Sequence, residues 1–313
     1  MEVFLTIPPD SAFIEAISTL SMVKGFRFNT GLELPGEKEG HLAEYKRQIG
    51  DKDLWIDLKC RELKVLNRTE LTLRQSVLEI NQPIDAKPPF SLYYNEAKNY
   101  VEVEKIIEGN KLQVFFPPST PDDFKITFGK GASLNIPEAR IIGGYLTERD
   151  KEYIRAGRSL GIHTYCLSFV ENKSDIEQVL ELDPDARIIA KIETPRGLNF
   201  IKTDYASVKD RVRLMAARGD LYVEIDRPHK ILSALKMIIE LDDNAIAASR
   251  LLQSVLNPNQ LPNCAELSDV ALLLKLGYKA FLFGDYVCED EDALKSAIGI
   301  LMAIEEQHKR GEI

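Results

Sequence analysis

Residues 190–197 read AKIETPRG, and residues 215–221 read MAARGDL. Each is a short apolar run that ends in charged residues, which is typical of a buried parallel strand that brings polar groups to the carboxyl end of a barrel. Glu193 and Asp220 are therefore expected to converge. Lys191 shares a strand face with Glu193, because alternate side chains point the same way. This set suits Mg²⁺ beside a phosphoryl group, since carboxylates hold the metal and a lysine offsets phosphate charge.

Short β-branched or aromatic runs alternate with amphipathic stretches along most of the chain. Examples are VFLTI at 3–7 before FIEAISTL at 13–20, and IHTYCLSFV at 162–170 before DIEQVLEL at 175–182. This rhythm predicts the α/β class, with a parallel sheet covered by helices, most simply a (β/α)₈ TIM barrel. The number of strands alone leaves an open sheet as the alternative.

The rhythm changes between about Asn67 and Ser133. Several short strand patterns are separated there by KPP at 87–89, EGN at 108–110 and PPSTPDD at 117–123. These patterns predict a small all-β domain inserted in one barrel loop, where it could move as a lid. We therefore divide the chain into residues 1–66, the first part of the barrel, residues 67–133, the inserted domain, and residues 134–313, the rest of the barrel.

Charge and composition exclude several classes of partner. The 313 residues carry 40 Lys+Arg and 49 Asp+Glu, a net charge of -9, which disfavours binding to nucleic acid or to an anionic membrane. The start of the chain lacks a basic segment, and no apolar run is long enough to cross a bilayer. The four cysteines form no CxxC pair, so neither a zinc site nor a disulfide framework is indicated. These features favour a cytoplasmic protein.

The order of motifs resembles the pyruvate kinase family over nearly the whole chain. The similar segments are LTIPPDS, FRFN, WIDLK, GKGASLNIP, LTERD, LSFV, AKIETPRG, MAARGDLYVEI, AIAASRLLQSV, CAELSDVA and LFGD. The resemblance implies a TIM barrel with a β-domain after the third strand. It also implies Mg²⁺-dependent (or Mn²⁺-dependent) phosphoryl transfer from phosphoenolpyruvate to ADP, giving pyruvate and ATP, a step of glycolysis.

The resemblance also implies what this chain would lack. The family's C-terminal domain, which carries the effector site and part of the tetramer contacts, has no counterpart after the final helical pattern. We therefore expect a short form without that regulation, as a monomer or a homodimer.

The resemblance assigns catalytic and metal-binding roles to five residues. Lys191 resembles the lysine that stabilises the transferring phosphoryl group and the enolate. Glu193 and Asp220 resemble the Mg²⁺ ligands, and Arg27 matches an arginine that contacts phosphate. Ser249 stands where the family has a threonine, and its hydroxyl could orient substrate or relay a proton.

Five further residues resemble the pocket for phosphoenolpyruvate. The backbone of the turn that contains Ala217, Arg218 and Gly219 resembles the segment that binds the substrate carboxylate. Gly219 would permit the substrate to approach the N–H groups closely. Ser168 and Phe169 match residues that line the pocket.

The counterparts of the monovalent-cation and nucleotide sites differ more from the family. Asn29 and Asp57 match cation ligands, but Asn29 is followed directly by Thr30 and Gly31, so a cation ligand is lost and a K⁺ requirement is doubtful. Lys64 replaces an arginine that contacts nucleotide, and Lys130 resembles a lysine that reaches nucleotide phosphate. The alternatives to these functional roles are that Arg27 and Asp57 form a structural ion pair and that Lys130 is solvated.

Three functions are consistent with these features. The leading hypothesis is a phosphotransferase of the pyruvate kinase type. The altered nucleotide side favours an alternative, a metal-dependent enzyme, either a lyase or a decarboxylase, that stabilises the enolate of a 2-oxo acid. The third is a non-catalytic sensor of phosphoenolpyruvate, against which the presence of Lys191, Glu193 and Asp220 argues. Nucleotide binding distinguishes the first two, and turnover distinguishes both from the third.

Overall fold

Strands from both ends of the chain pair to close a parallel barrel in this computed structural model, which describes residues 1–95, 97–137 and 139–313. Numbered along the chain, the strands are β1 (Glu2–Leu5), β2 (Val23–Asn29), β3 (Asp53–Leu58), β4 (Leu63–Lys64), β5 (Thr69–Leu71), β6 (Val77–Glu79), β7 (Ile84–Asp85), β8 (Phe90–Tyr94), β9 (Asn99–Ile107), β10 (Lys111–Phe115), β11 (Ile126–Phe128), β12 (Ser133–Leu134), β13 (Arg140–Ile141), β14 (Thr164–Leu167), β15 (Arg187–Ile192), β16 (Val212–Ala217), β17 (Ile246–Ala248) and β18 (Ala280–Phe283). The barrel order is β1-β18-β17-β16-β15-β14-β3-β2. The predicted (β/α)₈ fold is therefore confirmed.

Helices follow the barrel strands and cover the outside of the barrel. They are α1 (Ile14–Ser18), α2 (Lys38–Ile49), α3 (Glu148–Ser159), α4 (Lys173–Leu182), α5 (Pro195–Thr203), α6 (Arg218–Glu224), α7 (Ile231–Leu241), α8 (Cys264–Leu276), α9 (Asp285–Cys288) and α10 (Glu291–Lys309). Capping boxes define the starts of α3 and α4, with the cap pairs Thr147–Asp150 and Asn172–Asp175. No helix in the described ranges is long and apolar enough to span a membrane.

The barrel has an inner apolar cluster that is distinct from the layer between strands and helices. Phe4 and Trp55 stack inside it with ring centroids 3.9 Å apart, and Met215 and Ile246 are fully buried in the same cluster. Because small and large side chains fill the interior, the barrel is a packed core, and its polar groups can collect only at an end.

The strands β4 to β13 lie between the third and fourth barrel strands and form a separate unit with its own apolar core. A four-stranded antiparallel sheet in the order β6-β10-β9-β8 is its largest part. The short pair β4–β12 joins the outgoing and returning chain. These strands run from Leu63 to Ile141, a few residues beyond the limits of 67 and 133, and the division into domains stays a prediction.

Gly197 allows the chain after β15 to approach β14 closely. A Cβ atom there would lie 2.7 Å from the carbonyl oxygen of Val170, which follows β14. We expect Gly197→Ala to lower the free energy of unfolding by about 1–3 kcal/mol, because the backbone would have to shift.

Urea unfolding measures this effect, and Gly299→Ala is the matched control. Gly299 is exposed in the middle of α10, and nothing lies within 4 Å of its added Cβ. That substitution should stabilise the protein by up to about 1 kcal/mol. Equal effects of the two substitutions would contradict the close-approach argument.

Candidate active site

The carboxyl ends of the barrel strands bring together most of the charged residues predicted from the sequence. Asp57 lies near the end of β3, Lys191 near the end of β15, and Arg27 near the end of β2. Glu193 directly follows β15, and Asp220 lies in the first turn of α6 after β16. The active sites of this barrel architecture lie at the same face.

Asp57 is a fully buried carboxylate that pairs with three cations. Its Oδ1 lies 3.1 Å from Nζ of Lys191, and its Oδ2 lies 2.6 Å from Nζ of Lys59 and 3.4 Å from the guanidinium of Arg27. Burial alone would raise the pKa of Asp57, but the charges of Lys191, Lys59 and Arg27 outweigh burial and hold the pKa far below its ordinary value. Asp57 therefore stays ionised and fixes the three cations.

Lys191 connects this carboxylate to a second, acidic group of residues. Its Nζ also lies 3.8 Å from Oε1 of Glu193, and its side chain is buried. Burial acts to lower the pKa of Lys191, but Asp57 and Glu193 raise it above the ordinary value. The ammonium is therefore charged and aimed between Asp57 and Glu193, as strand alternation predicts.

A group of three carboxylates begins at Glu193, beside Lys191. Glu193 accepts a hydrogen bond of 2.6 Å from the backbone N–H of Phe169 and contacts Asp220. Glu224 lies four residues after Asp220, on the same face of α6, and Nδ2 of Asn135 donates to both, at 3.1 Å to each. Burial raises the pKa of Glu193 and of Glu224 to about 8, and the charge of Asp220 adds to both shifts.

This carboxylate cluster fits a divalent cation. Glu193 and Glu224 are buried, Asp220 is partly exposed, and all three offer only oxygen donors, which are the ligands that Mg²⁺ and Mn²⁺ prefer. Burial is the largest cause of their raised pKa values, and the charges of neighbouring carboxylates add to it. A bound divalent ion would offset these negative charges, and Glu193 with Asp220 stays the predicted ligand pair.

The turn after β16 lies beside Ser249. A Cβ atom on Gly219 would be 3.3 Å from Cβ and 3.5 Å from Oγ of Ser249, so the serine hydroxyl lies against the start of α6. The guanidinium of Arg218 is already paired, since it donates to the carboxylate of Asp269 at 2.7 and 2.6 Å and to the carbonyl of Ser249 at 2.8 Å. The predicted carboxylate contact would therefore fall to the backbone of Ala217, Arg218 and Gly219, and it stays a prediction.

The predicted pocket residues Ser168 and Phe169 contact the site through different atoms. Ser168 donates from its hydroxyl to the carbonyl of Leu58 at 2.9 Å, so this group holds β14 to β3. Phe169 has a φ of 53°, which turns its N–H toward Glu193. Its contribution to the cluster is therefore a backbone donor in an uncommon conformation.

Asn29 and Arg27 share a partner that the sequence did not single out. Asp285, the first residue of α9, accepts from Nδ2 of Asn29 at 2.9 Å and lies 3.3 Å from the guanidinium of Arg27. Nε of Arg27 donates to the hydroxyl of Thr6 at 2.9 Å. Arg27 is thus held on three sides, by Thr6 just after β1, by β3 and by α9.

The two predicted nucleotide-binding lysines lie in the inserted unit or where it joins the barrel, outside the carboxylate cluster. Nζ of Lys64 is 3.0 Å from Glu62 and donates to the carbonyl of Gly131 at 3.3 Å. Lys130 pairs with Glu33 at 2.8 Å, and both side chains are largely exposed. Their proposed contacts with nucleotide stay predictions.

The residues that sequence reasoning missed are Asn135, Glu224, Asp285 and Lys59. The position of Glu224 four residues after Asp220 is a signal that could have found it, because such residues share a helix face. Asn135 is separated from its carboxylate partners by 85 and 89 residues, and no local pattern indicates that contact.

The strand ends of this barrel carry paired cations and an acidic cluster, next to an inserted β-unit. These features define the class of (β/α)₈ proteins with a polar site at the carboxyl face. The family model "Pyruvate kinase, barrel domain" matches residues 102–282, more than half of the 313 residues. The chain therefore belongs to the pyruvate kinase family.

Individual relatives carry the same name at low identity. The chain is 27% identical to the pyruvate kinase of Borreliella burgdorferi over 84% of its length and 59% of the relative. It is 26% identical to that of Methanocaldococcus jannaschii over 80% of its length and 57% of the relative. It is 36% identical to that of Thermoplasma acidophilum over 44% of its length and 26% of the relative. The chain thus spans less than two thirds of each of these relatives.

The raised pKa values of Glu193 and Glu224 predict a pH-dependent stability. Each carboxyl has a pKa of about 8 when folded against an ordinary 4.5, so the folded protein binds protons that the unfolded chain releases. Their stabilisation is fully present below about pH 4.5 and is lost as the pH rises through about 8. In EDTA, we expect the Tm of the wild type to fall more between pH 6 and pH 8 than that of Glu224→Gln, which removes one titrating group.

Thermal unfolding in matched buffers measures this difference, and added Mg²⁺ provides a second comparison. Because a cation replaces the bound protons, Mg²⁺ should raise the Tm more at pH 8 than at pH 6. Identical pH dependence in both proteins would contradict the assignment of Glu224.

Proposed function

We propose that the chain is a pyruvate kinase-like phosphotransferase, which transfers the phosphoryl group of phosphoenolpyruvate to ADP and gives pyruvate and ATP. The observation that supports this best is the position of Nζ of Lys191, 3.1 Å from Asp57 and 3.8 Å from Glu193. A fixed, charged ammonium at the edge of a carboxylate cluster is what phosphoryl transfer beside a metal ion requires.

Each proposed role depends on where the side chain is held. Glu193 and Asp220 would hold Mg²⁺ or Mn²⁺, which supplies charge neutralisation for the phosphoryl oxygens. Lys191 and Arg27 would face the phosphoryl group from the side of Asp57, where ion pairs keep both cations in place. Ser249, which lies beside the start of α6, would orient the substrate or relay a proton to the enolate.

Substrate binding would use backbone rather than side-chain donors on the β16 side. The side chain of Arg218 is occupied by Asp269, so the N–H groups of the turn are the proposed partners of the substrate carboxylate. Ser168 and Phe169 would close the β14 side of the pocket. Such positioning contributes to the rate because little other chemistry is required of the protein.

One observation supports the alternative of a metal-dependent enzyme that acts on the enolate of a 2-oxo acid. Lys64 and Lys130, the two lysines proposed to contact nucleotide, are paired with Glu62 and Glu33. A site without nucleotide contacts would retain the metal, Lys191 and the enolate chemistry. The two functions differ in whether turnover requires ADP, and a sensor would show no turnover at all.

We expect Lys191→Met to lower pyruvate formation by about a thousandfold or more, because the ammonium that offsets phosphoryl and enolate charge is lost. The measurement is pyruvate release from phosphoenolpyruvate with Mg²⁺, coupled to lactate dehydrogenase, with and without ADP. Lys295→Met is the control, since Lys295 pairs with Glu291 at 2.7 Å on the exposed face of α10. Turnover at the wild-type rate in Lys191→Met would refute the role.

We further expect K⁺ to change the rate less than about twofold. The ammonium of Lys59 lies 2.6 Å from Asp57, and its Cε lies 2.9 Å from a Cβ added to Gly31, beside Oδ1 of Asn29. Lys59 therefore supplies a positive charge between the two residues that resemble cation ligands. The same coupled assay in Na⁺ or K⁺ buffers measures this, and a strong dependence on K⁺ would contradict it.

A further inference from the structure

Asn135 belongs to the inserted unit by its backbone and to the barrel site by its side chain. It directly follows β12, and its backbone exchanges hydrogen bonds of 3.0 and 2.9 Å with Tyr93 of β8. Its carboxamide leaves this sheet and reaches α6 of the barrel. With 8% of its surface exposed, the residue is buried where the two units meet.

The two N–H groups of this carboxamide match two acceptors of the carboxylate cluster. Nδ2 lies 3.1 Å from Oδ1 of Asp220 and 3.1 Å from Oε1 of Glu224. One amide nitrogen has two hydrogens, so one neutral group can satisfy both carboxylates and fix their orientation. A carboxylate has two oxygens, so Asp220 can accept from Asn135 and still offer an oxygen to a cation.

Two other contacts join the inserted unit to the barrel loops, but neither reaches a proposed metal ligand. Lys130 and Glu33 are exposed, and such pairs contribute little. Arg196 donates to the carbonyl of Ala139 at 3.2 Å but is itself paired with Glu171, at the base of the unit. Of these three contacts, that of Asn135 reaches a proposed metal ligand directly.

We infer that Asn135 is a positioning residue, through which the inserted unit orients Asp220 and Glu224 for a divalent cation. The inference rests on the proposed function only in taking Asp220 as a metal ligand. Because the inserted unit carries this carboxamide, a cation that holds Asp220 in its hydrogen-bonded orientation also stabilises the contact between Asn135 and α6. By thermodynamic linkage, the two effects must be equal in size.

The first test measures Mn²⁺ binding to the full chain without phosphoenolpyruvate or ADP, by electron paramagnetic resonance of free Mn²⁺. Hydrogen-bonding partners of metal ligands typically contribute 10–100-fold to metal affinity. We expect the Kd for Mn²⁺ to rise by about that factor in Asn135→Ala and in Asn135→Leu, which preserves the side-chain volume.

Asn110→Ala is the matched control. Nδ2 of Asn110 donates to the carbonyl of Ile80 at 3.3 Å within the inserted unit. This variant removes an amide hydrogen bond from the same unit without contact to the barrel, and we expect its Kd for Mn²⁺ to equal that of the wild type. Equal Kd values in the wild type and both Asn135 variants would overturn the inference.

Hydrogen–deuterium exchange of the wild type gives a test that does not depend on a variant folding. Mn²⁺ should slow exchange of the amides around β8 and β12, where Tyr93 and Asn135 pair, and it should not do so in Asn135→Leu. No effect of Mn²⁺ on these amides in the wild type would overturn the inference.

These readouts separate the inference from the proposed function. A wild type that binds Mn²⁺ more tightly than its Asn135 variants but forms no pyruvate supports the inference while the kinase function fails. A wild type that forms pyruvate but binds Mn²⁺ as tightly as its Asn135 variants overturns the inference alone.

Discussion

The burial of Asp57 among three cations is the constraint on which the site depends. A carboxylate with no solvent exposure is tolerable only when it is paired, and Lys191, Lys59 and Arg27 provide that pairing from β15, β3 and β2. Each of these cations would itself be costly to bury alone. The ion pairs therefore fix the lateral position of three strand ends relative to one another, and the side chains cannot relax independently.

The positive side chains and the carboxylate cluster occupy separate parts of this face. Asp57 is surrounded by positive groups, whereas Glu193, Asp220 and Glu224 lie together with raised pKa values. Lys191 lies at the boundary, in contact with both. A phosphoryl group and a divalent cation have the complementary division of charge, which is the electrostatic basis of the proposed phosphoryl transfer.

Sequence reasoning predicted the features that strand periodicity dictates and failed where contacts cross the fold. The shared direction of Lys191 and Glu193 is set by the two-residue repeat of a strand, and the alternation of strands and helices predicted a parallel α/β sheet, with the barrel as its simplest form. Asn135 and Asp285 were missed because their partners are set by how an inserted sheet and the last helices pack onto the barrel. Local patterns also indicate what Lys64 and Lys130 resemble, but not that each has an acidic partner.

The closing seam between β1 and β18 has a consequence for biosynthesis. Glu2 pairs with Ala280 and Leu5 with Phe283, so the first strand has its second neighbour only after nearly the whole chain has been made. Arg27 gains its contact with Asp285 at the same stage. On the ribosome, β1 therefore keeps an unpaired edge, and Arg27 lacks one of its partners, until β18 and α9 have been made.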